Sequence, residues 1–500
     1  MTSTAVRDRP RRLDQLAALC GLVALVVYLL QSFDGLLSRD LAVYSYGGQQ
    51  VAEGVAPFVA ILNRAGPLAH LVPGAGAWVG RLVGVDDVLA MRFTLMLVAV
   101  ATIVVIYLLG RDLFRSRGAG VAAAAAMLCC EGFLRYATLG PREKTTMVCL
   151  LALGLLAMVH QRWGTAGAMV ALSTLSWQPV AFPAIATLVV AALLGADGRA
   201  RALVRIAVGG IVPTALIMLF YVVIGKLQVF LDAFFLINLR YTEQGGLLSN
   251  TGSLWSSIMD AYGWSLWVMA LGTVAMLVIG VREARRPSRR TPAGAALVAL
   301  AVLVVVCVLW AFKAFNGWPD AFYVFPASVL GIGGLYALLA RRVPARIALA
   351  VLATWVVVAT ALSAAAALAD RSDELDDQRA DVAAVMAILP PGARIASVEA
   401  PQPLVLAHQR NVSRFQLFGN GLEGYVQDTW PGGIDGYARW LVARKPTVIA
   451  VGTQSGMPSW LPPAMGRTYV DVGASNGWSW WVRTDVGTRV LDRLQSRLDG

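Results

Sequence analysis

Two carboxylates (Asp40 and Glu53), two tyrosines (Tyr44 and Tyr46) and the guanidinium of Arg64 fall within residues 38–76, which also include Arg39. That stretch is too polar to span lipid and too apolar to be a plain linker. A carboxylate fixed beside a hydroxyl can take its proton as a general base, and polar groups at a membrane surface must be used or solvated. For Asp40 this reading stands level with a bland one, a solvated carboxylate capping a short interfacial helix. For Glu53, 13 residues on and expected on the same helix, a structural role weighs more.

A second group follows a Gly-Pro turn in LRYATLGPREKTTMV, where Arg142, Glu143 and Lys144 set two cations around one acid. Such a pair suits a phosphate, with the acid holding a cation or an acceptor. Lys313 in FKAFNGWPD and Arg240 in NLRYTEQGG are further cations beside aromatic rings. Snorkelling explains each taken alone. Trp177 and Trp318 could stack on a sugar or lipid, but interface anchoring is the stronger reading for both. In the C-terminal part, His408, Arg410 and Arg414 offer polar groups with no specific motif.

The elements that must position these residues follow from composition. With 57% hydrophobic and 14% charged residues among 500, and a mean hydropathy of +0.64, the chain reads as a multi-pass membrane protein. Apolar runs near 14–32, 88–110, 119–138, 145–160, 164–177, 179–195, 204–224, 264–281, 293–312, 321–340 and 346–369 predict about eleven transmembrane helices. The basic stretch RDRPRR before the first run resembles a secretory signal, but the run is long enough to span and no small-residue cleavage site follows, so it is read as a span.

The net charge of +12 does not point to nucleic acid. Residues 370–500 hold 13 Lys/Arg against 14 Asp/Glu, so the excess belongs to the short loops of the membrane part. With the N-terminus in the cytoplasm, the basic clusters at 111–117, 160–162, 199–205, 282–290 and 341–346 all fall inside. The loops at 33–87, 139–144, 225–263 and 313–320 then face outward together with residues 370–500. That last segment, with its helical, strand-like and turn-rich stretches, predicts a small extracytoplasmic α/β domain. The expected division is therefore a membrane domain over 1–369, whose first outward loop at 33–87 carries amphipathic helices, and a soluble domain over 370–500. The five cysteines lie in apolar runs without ligand spacing, and no metal or other cofactor is indicated.

An acid directly after the first span, the pattern Asp40–x3–Tyr44…Gly54–x2–Pro57–Phe58…Gly66–Pro67–Leu68, and Phe315–Asn316–Gly317–Trp318–Pro319–Asp320 before a late span resemble the GT-C class. These are multi-pass glycosyltransferases that use polyprenyl-phosphate sugars, such as the dolichyl-phosphate-mannose-dependent mannosyltransferases. The resemblance implies a GT-C bundle with Asp40 as base. It implies an inverting transfer of mannose or a related sugar from a polyprenyl-phosphate donor to a glycan, lipid or protein hydroxyl at the cell envelope. Arg142, Lys144, Lys313 and Arg240 would meet the donor phosphate, and Tyr44, Glu53, Arg64, Glu143, Trp318 and Asp320 would line the substrate. Leu41, standing where the class often has a second acid, speaks against a metal-dependent variant. Two other readings stay open: a transporter or flippase, which would need mid-bilayer ionisable groups of the kind only Glu131 offers, and a non-catalytic envelope scaffold.

Overall fold

The computed structural model describes residues 14–498 apart from 244, 247, 249, 250 and 455; the basic stretch at 7–12 lies outside the described residues. Helix α1 (Gln15–Leu30) starts at Asp14, whose carboxyl accepts the Leu16 amide at 3.2 Å. The first loop carries α2 (Arg39–Ala52) and α3 (Leu68–Val83), and α4 (Asp87–Phe114) follows. Next come α5 (Arg117–Leu128), α6 (Glu131–Thr138) and α7 (Glu143–Val159).

Seven described helices are long and apolar enough to cross a membrane, and α5 with α6, bent by 69°, makes an eighth if the pair is one span. The chain is a multi-pass membrane protein. Every expected apolar run is helical, but their lengths are unequal. Helix α1 has 16 residues, α7 has 17 and Trp163–Thr174 has 12, against the roughly 20 that cross a bilayer upright. The last two are cut short because the chain turns at residues 160–162 and packs them on each other, with the Ser173 hydroxyl donating to the Met147 carbonyl at 2.8 Å.

The C-terminal part holds a mixed four-stranded sheet of β1 (Ile395–Val398), β2 (Val448–Gly452), β3 (Tyr469–Ser475) and β4 (Trp478–Arg483), in the order β1-β2-β4-β3. The first pair is parallel and joined through helices that include Gly433–Ala443, while the other two pairs are antiparallel. Alternate side chains point to opposite faces, and each face finishes its core with segments from the helical part. On one face Val448, Ala450, Trp478 and Trp480 join Leu375 and Val382 of helix Glu374–Ile388, and also Leu41, Ala42 and Tyr46 of α2. On the other, Val398, Ile449 and Val451 share a cluster with Phe58 and Leu62 of the first loop and with Tyr221 and Phe230.

Helix α2 is thus buried nearly all round, with every residue from Leu41 to Gln50 inside. Its close approach to α3 needs small residues. A Cβ at Gly47 would sit 1.9 Å from His70 Nδ1, and one at Gly74 would sit 2.4 Å from a Val51 methyl. The His70 ring is fully buried, so burial keeps it neutral and holds its pKa down to about 4. It has nowhere to retreat. Gly47→Ala is therefore expected to destabilise the protein by about 1–3 kcal/mol, the usual cost of overpacking, measurable as a lower midpoint of thermal unfolding in detergent.

Candidate functional site

The site forms where the start of α2 meets the start of α7. Ser38 caps α2, its Oγ accepting the Leu41 amide at 3.4 Å. This places Asp40 in the first turn, where the helix dipole favours an anion. The loop before α7 is brought to it by Arg92, a buried guanidinium on α4. Its Nε donates to the Gly140 carbonyl at 3.2 Å and its Nη1 to the Phe33 carbonyl, so one side chain fastens both loops.

Arg142 then reaches back, its Nη1 donating to Asp40 Oδ2 at 3.0 Å. Its guanidinium lies 5.2 Å from the centre of the Tyr136 ring and 5.9 Å from that of Tyr44. On the other side of Arg142 the charges alternate. Arg142 Nε is 3.4 Å from Glu143, Glu143 is 3.1 Å from Lys144 Nζ, and Lys144 Nζ is 2.9 Å from Asp320 Oδ1. The second Asp320 oxygen accepts the Asn316 amide at 2.8 Å, which ties the loop before helix Phe325–Ala340 into the chain of charges. Lys144 also lies 4.8 Å from the centre of the Trp177 ring, and Trp318 stacks on Tyr136 at 4.8 Å.

Packing around Asp40 works against ionisation. The positive charges of Arg142 and then Arg39, with the hydrogen bond from Arg142, outweigh it and hold the pKa at about 2. For Arg142, burial would favour the neutral form, but Tyr136, Glu143 and Asp40 hold its pKa well above the ordinary arginine value. The sign of the linkage follows for Asp40. A depressed carboxyl pKa contributes stability that is complete above the unfolded value of about 4 and is lost as pH falls through about 2. Asp40→Asn should therefore flatten the pH dependence of unfolding between about pH 4 and 2, read by acid titration of both proteins in detergent.

Asp40, Arg142, Glu143, Lys144 and Asp320 are thus joined by ion pairs, with Tyr44 and Trp318 against the same side chains. Arg64 lies near this cluster. Its carbonyl accepts from Gln178 at 2.8 Å and Asn238 at 2.9 Å, its neighbour Ala65 packs on Tyr44, and it makes no ion pair among the described residues. Glu53, which caps the far end of α2, lies elsewhere, paired with Arg410 at 2.6 Å and Arg81 at 3.6 Å. Arg240 is 69% exposed and 4.0 Å from Asp428, and Lys313 is exposed over the Trp310 ring. No contact joins either cation to Asp40 among the described residues.

Trp177, expected as an interface anchor, stacks on Tyr323 at 5.6 Å and lies 4.8 Å from Lys144 Nζ. Sequence reasoning also passed over Arg39, Arg92 and Tyr136. The doublet Arg39–Asp40 was the one visible signal. Among the described residues no cluster of three or more His, Cys, Asp or Glu side chains could hold a metal ion.

No protein-family model matches the chain, and no curated protein does. Solved structures do match. ArnT from Cupriavidus metallidurans bound to undecaprenyl phosphate superposes with a TM-score of 0.63 at 13% identity, over 96% of this chain and 99% of that one. The apo state of the same protein gives 0.54 at 16% identity, over 95% and 98%. The mycobacterial arabinofuranosyltransferase AftD gives 0.52 at 17% identity, over 94% of this chain and 40% of that larger one. From the first helix through the terminal sheet, this chain has the fold of the GT-C membrane glycosyltransferases.

Proposed function

We propose that the protein is an inverting glycosyltransferase that moves a sugar from a polyprenyl-phosphate donor to a hydroxyl on a glycan, lipid or protein. We place the site, and the sheet above it, on the extracytoplasmic face with the N-terminus in the cytoplasm, as the loop charges favour. The observation that carries the reading is the 3.0 Å pairing of Asp40 with Arg142, which sets a half-exposed carboxylate against a cation from a second loop on the same end of the bundle. The undecaprenyl phosphate bound to ArnT supports the choice of donor.

In this mechanism Asp40 takes the proton of the acceptor hydroxyl as that oxygen attacks the anomeric carbon. The phosphate leaves from the opposite side of the sugar. A carboxylate with a pKa of about 2 is a weak base while Arg142 holds it. A donor phosphate competes for the same guanidinium. By drawing Arg142 away it would stabilise its own departure and restore basicity to Asp40 in one movement. Most of the barrier reduction is then positioning and electrostatics.

Lys144 is already held by two carboxylates, whereas Arg64 makes no ion pair among the described residues. We assign Arg64 the first contact with the anionic donor. Arg64→Gln should raise the donor KM by about 10- to 100-fold, the loss of one charge-assisted hydrogen bond, with a smaller change in kcat. Initial rates against donor concentration in detergent check this. The defining experiment offers purified protein polyprenyl-phosphate mannose, the sugar the resemblance implies, and then polyprenyl-phosphate arabinofuranose, after the sugar in the name of AftD. Release of polyprenyl phosphate that depends on acceptor supports transfer. Flux of donor across proteoliposomes without a glycoside product would favour a flippase.

A further inference from the structure

Glu399 is a buried acid that the transfer chemistry leaves unused. It follows β1, is 3% exposed and holds a left-handed backbone at φ +58°. One oxygen, Oε1, accepts the amides of Phe418 and Gly419, the latter at 2.8 Å. The other, Oε2, accepts Arg39 Nη1 at 2.7 Å. The acid is thus pinned by main chain on one side and spends its remaining oxygen on the residue that precedes Asp40. Arg39 Nη2 meanwhile stands 3.5 Å from Asp40 Oδ1, looser than the 3.0 Å contact from Arg142.

The grip on this end of α2 is doubled by Gln378. This fully buried amide accepts from the Leu37 amide at 2.9 Å and donates to the Leu37 carbonyl at 3.3 Å. Both holding residues come from the part of the chain that carries the sheet.

We infer that Glu399 is a positioning residue: by taking Arg39 Nη1 at 2.7 Å it keeps the Arg39 contact with Asp40 Oδ1 long, at 3.5 Å, so that this oxygen of the base can still receive the proton of an acceptor hydroxyl. This rests on the role proposed above for Asp40. A carboxylate has about four lone-pair sites, and a bidentate guanidinium fills two of them. With Arg142 already on Oδ2, an Arg39 released from Glu399 would tighten its 3.5 Å contact with Oδ1 into a short ion pair. The terminal sheet unit thereby acts on the chemistry without touching substrate.

The test is a set of variants assayed with purified full-length protein. Glu399→Ala should lower kcat on the order of 10²-fold, the scale of a small misplacement of a catalytic group, with donor KM unchanged. Glu399→Gln, which keeps the shape and one acceptor oxygen, should lose less and serves if the alanine variant does not fold. Adding Arg39→Met to either should recover most of the lost kcat, because the guanidinium that occludes the base is gone. A merely structural role predicts the reverse, a double variant worse than the single. Unchanged kcat, a loss confined to KM, or no recovery on adding Arg39→Met overturns the inference. Hydrogen exchange at the amides of residues 41–46 gives a readout without turnover. Faster exchange in Glu399→Ala is expected, and unchanged exchange in a folded variant counts against the tether even if Asp40→Asn shows that Asp40 is not the base.

Discussion

Asp40→Asn is expected to lower the transfer rate by about 10²–10⁴-fold, the usual size of a general-base contribution, with donor binding retained. Asparagine keeps the shape of the side chain and one oxygen for Arg142, which donates to Oδ2 at 3.0 Å in the wild type. It cannot take a proton from a hydroxyl. The loss should therefore appear in kcat, since the interaction removed matters only as the acceptor oxygen becomes a nucleophile. Turnover by purified Asp40→Asn in detergent, with saturating polyprenyl-phosphate sugar, decides it, and a normal rate would remove Asp40 from the mechanism. If alanine at Asp40, Arg142 and Arg64 in turn leaves every cellular phenotype intact, the scaffold reading gains instead.

The second large effect concerns stability. Lys144 is 5% exposed, lies between Glu143 at 3.1 Å and Asp320 at 2.9 Å, and rests on the Trp177 ring. Replacing it with methionine leaves two buried carboxylates short of a cation. Breaking a buried pair from one side costs about 3–5 kcal/mol, and Lys144→Met should lower the unfolding midpoint accordingly. Removing one of the stranded charges should return part of the loss, so Lys144→Met with Asp320→Asn should be more stable than Lys144→Met alone. Unfolding followed by tryptophan fluorescence in a chaotrope series measures both. If Lys144→Met is as stable as wild type while its donor KM rises, the ammonium belongs to the donor phosphate rather than to the framework.

Much of this organisation was legible in the residues. The long apolar runs of 20 or more residues, the strands in PTVIAVG and WSWWVR, and the acid directly after the first helix were found because each is a local pattern of hydropathy or spacing. The joining of Asp40 to Arg142, 102 residues apart, followed only from reasoning that both loops share one side of the membrane. What could not be read was which cations are already occupied. Arg142, Lys144, Arg240 and Lys313 look alike in sequence. In the structure the first two are buried among carboxylates and the last two lie exposed over aromatic rings. Glu53 and Asp40 look like partners 13 residues apart, but along a helix that spacing is about 20 Å, and Glu53 is spent on Arg410. The contact of Trp177 with Lys144 could not be read either, because nothing local in the sequence pairs a ring with a lysine 33 positions away.

The contact between Leu37 and Gln378 spans 341 positions, and α2 shares its core with Trp478 and Trp480. During synthesis, therefore, the helix that bears Asp40 is finished long before the strands that cover it exist. Until residues 448–483 have been made, its apolar flank must be shielded by lipid, by the neighbouring helices or by a chaperone, since exposed flanks of this kind aggregate. Chains cut short before β4 should accumulate as protease-sensitive species, and the helix that carries Asp40 gains its full cover only after β4 has been made.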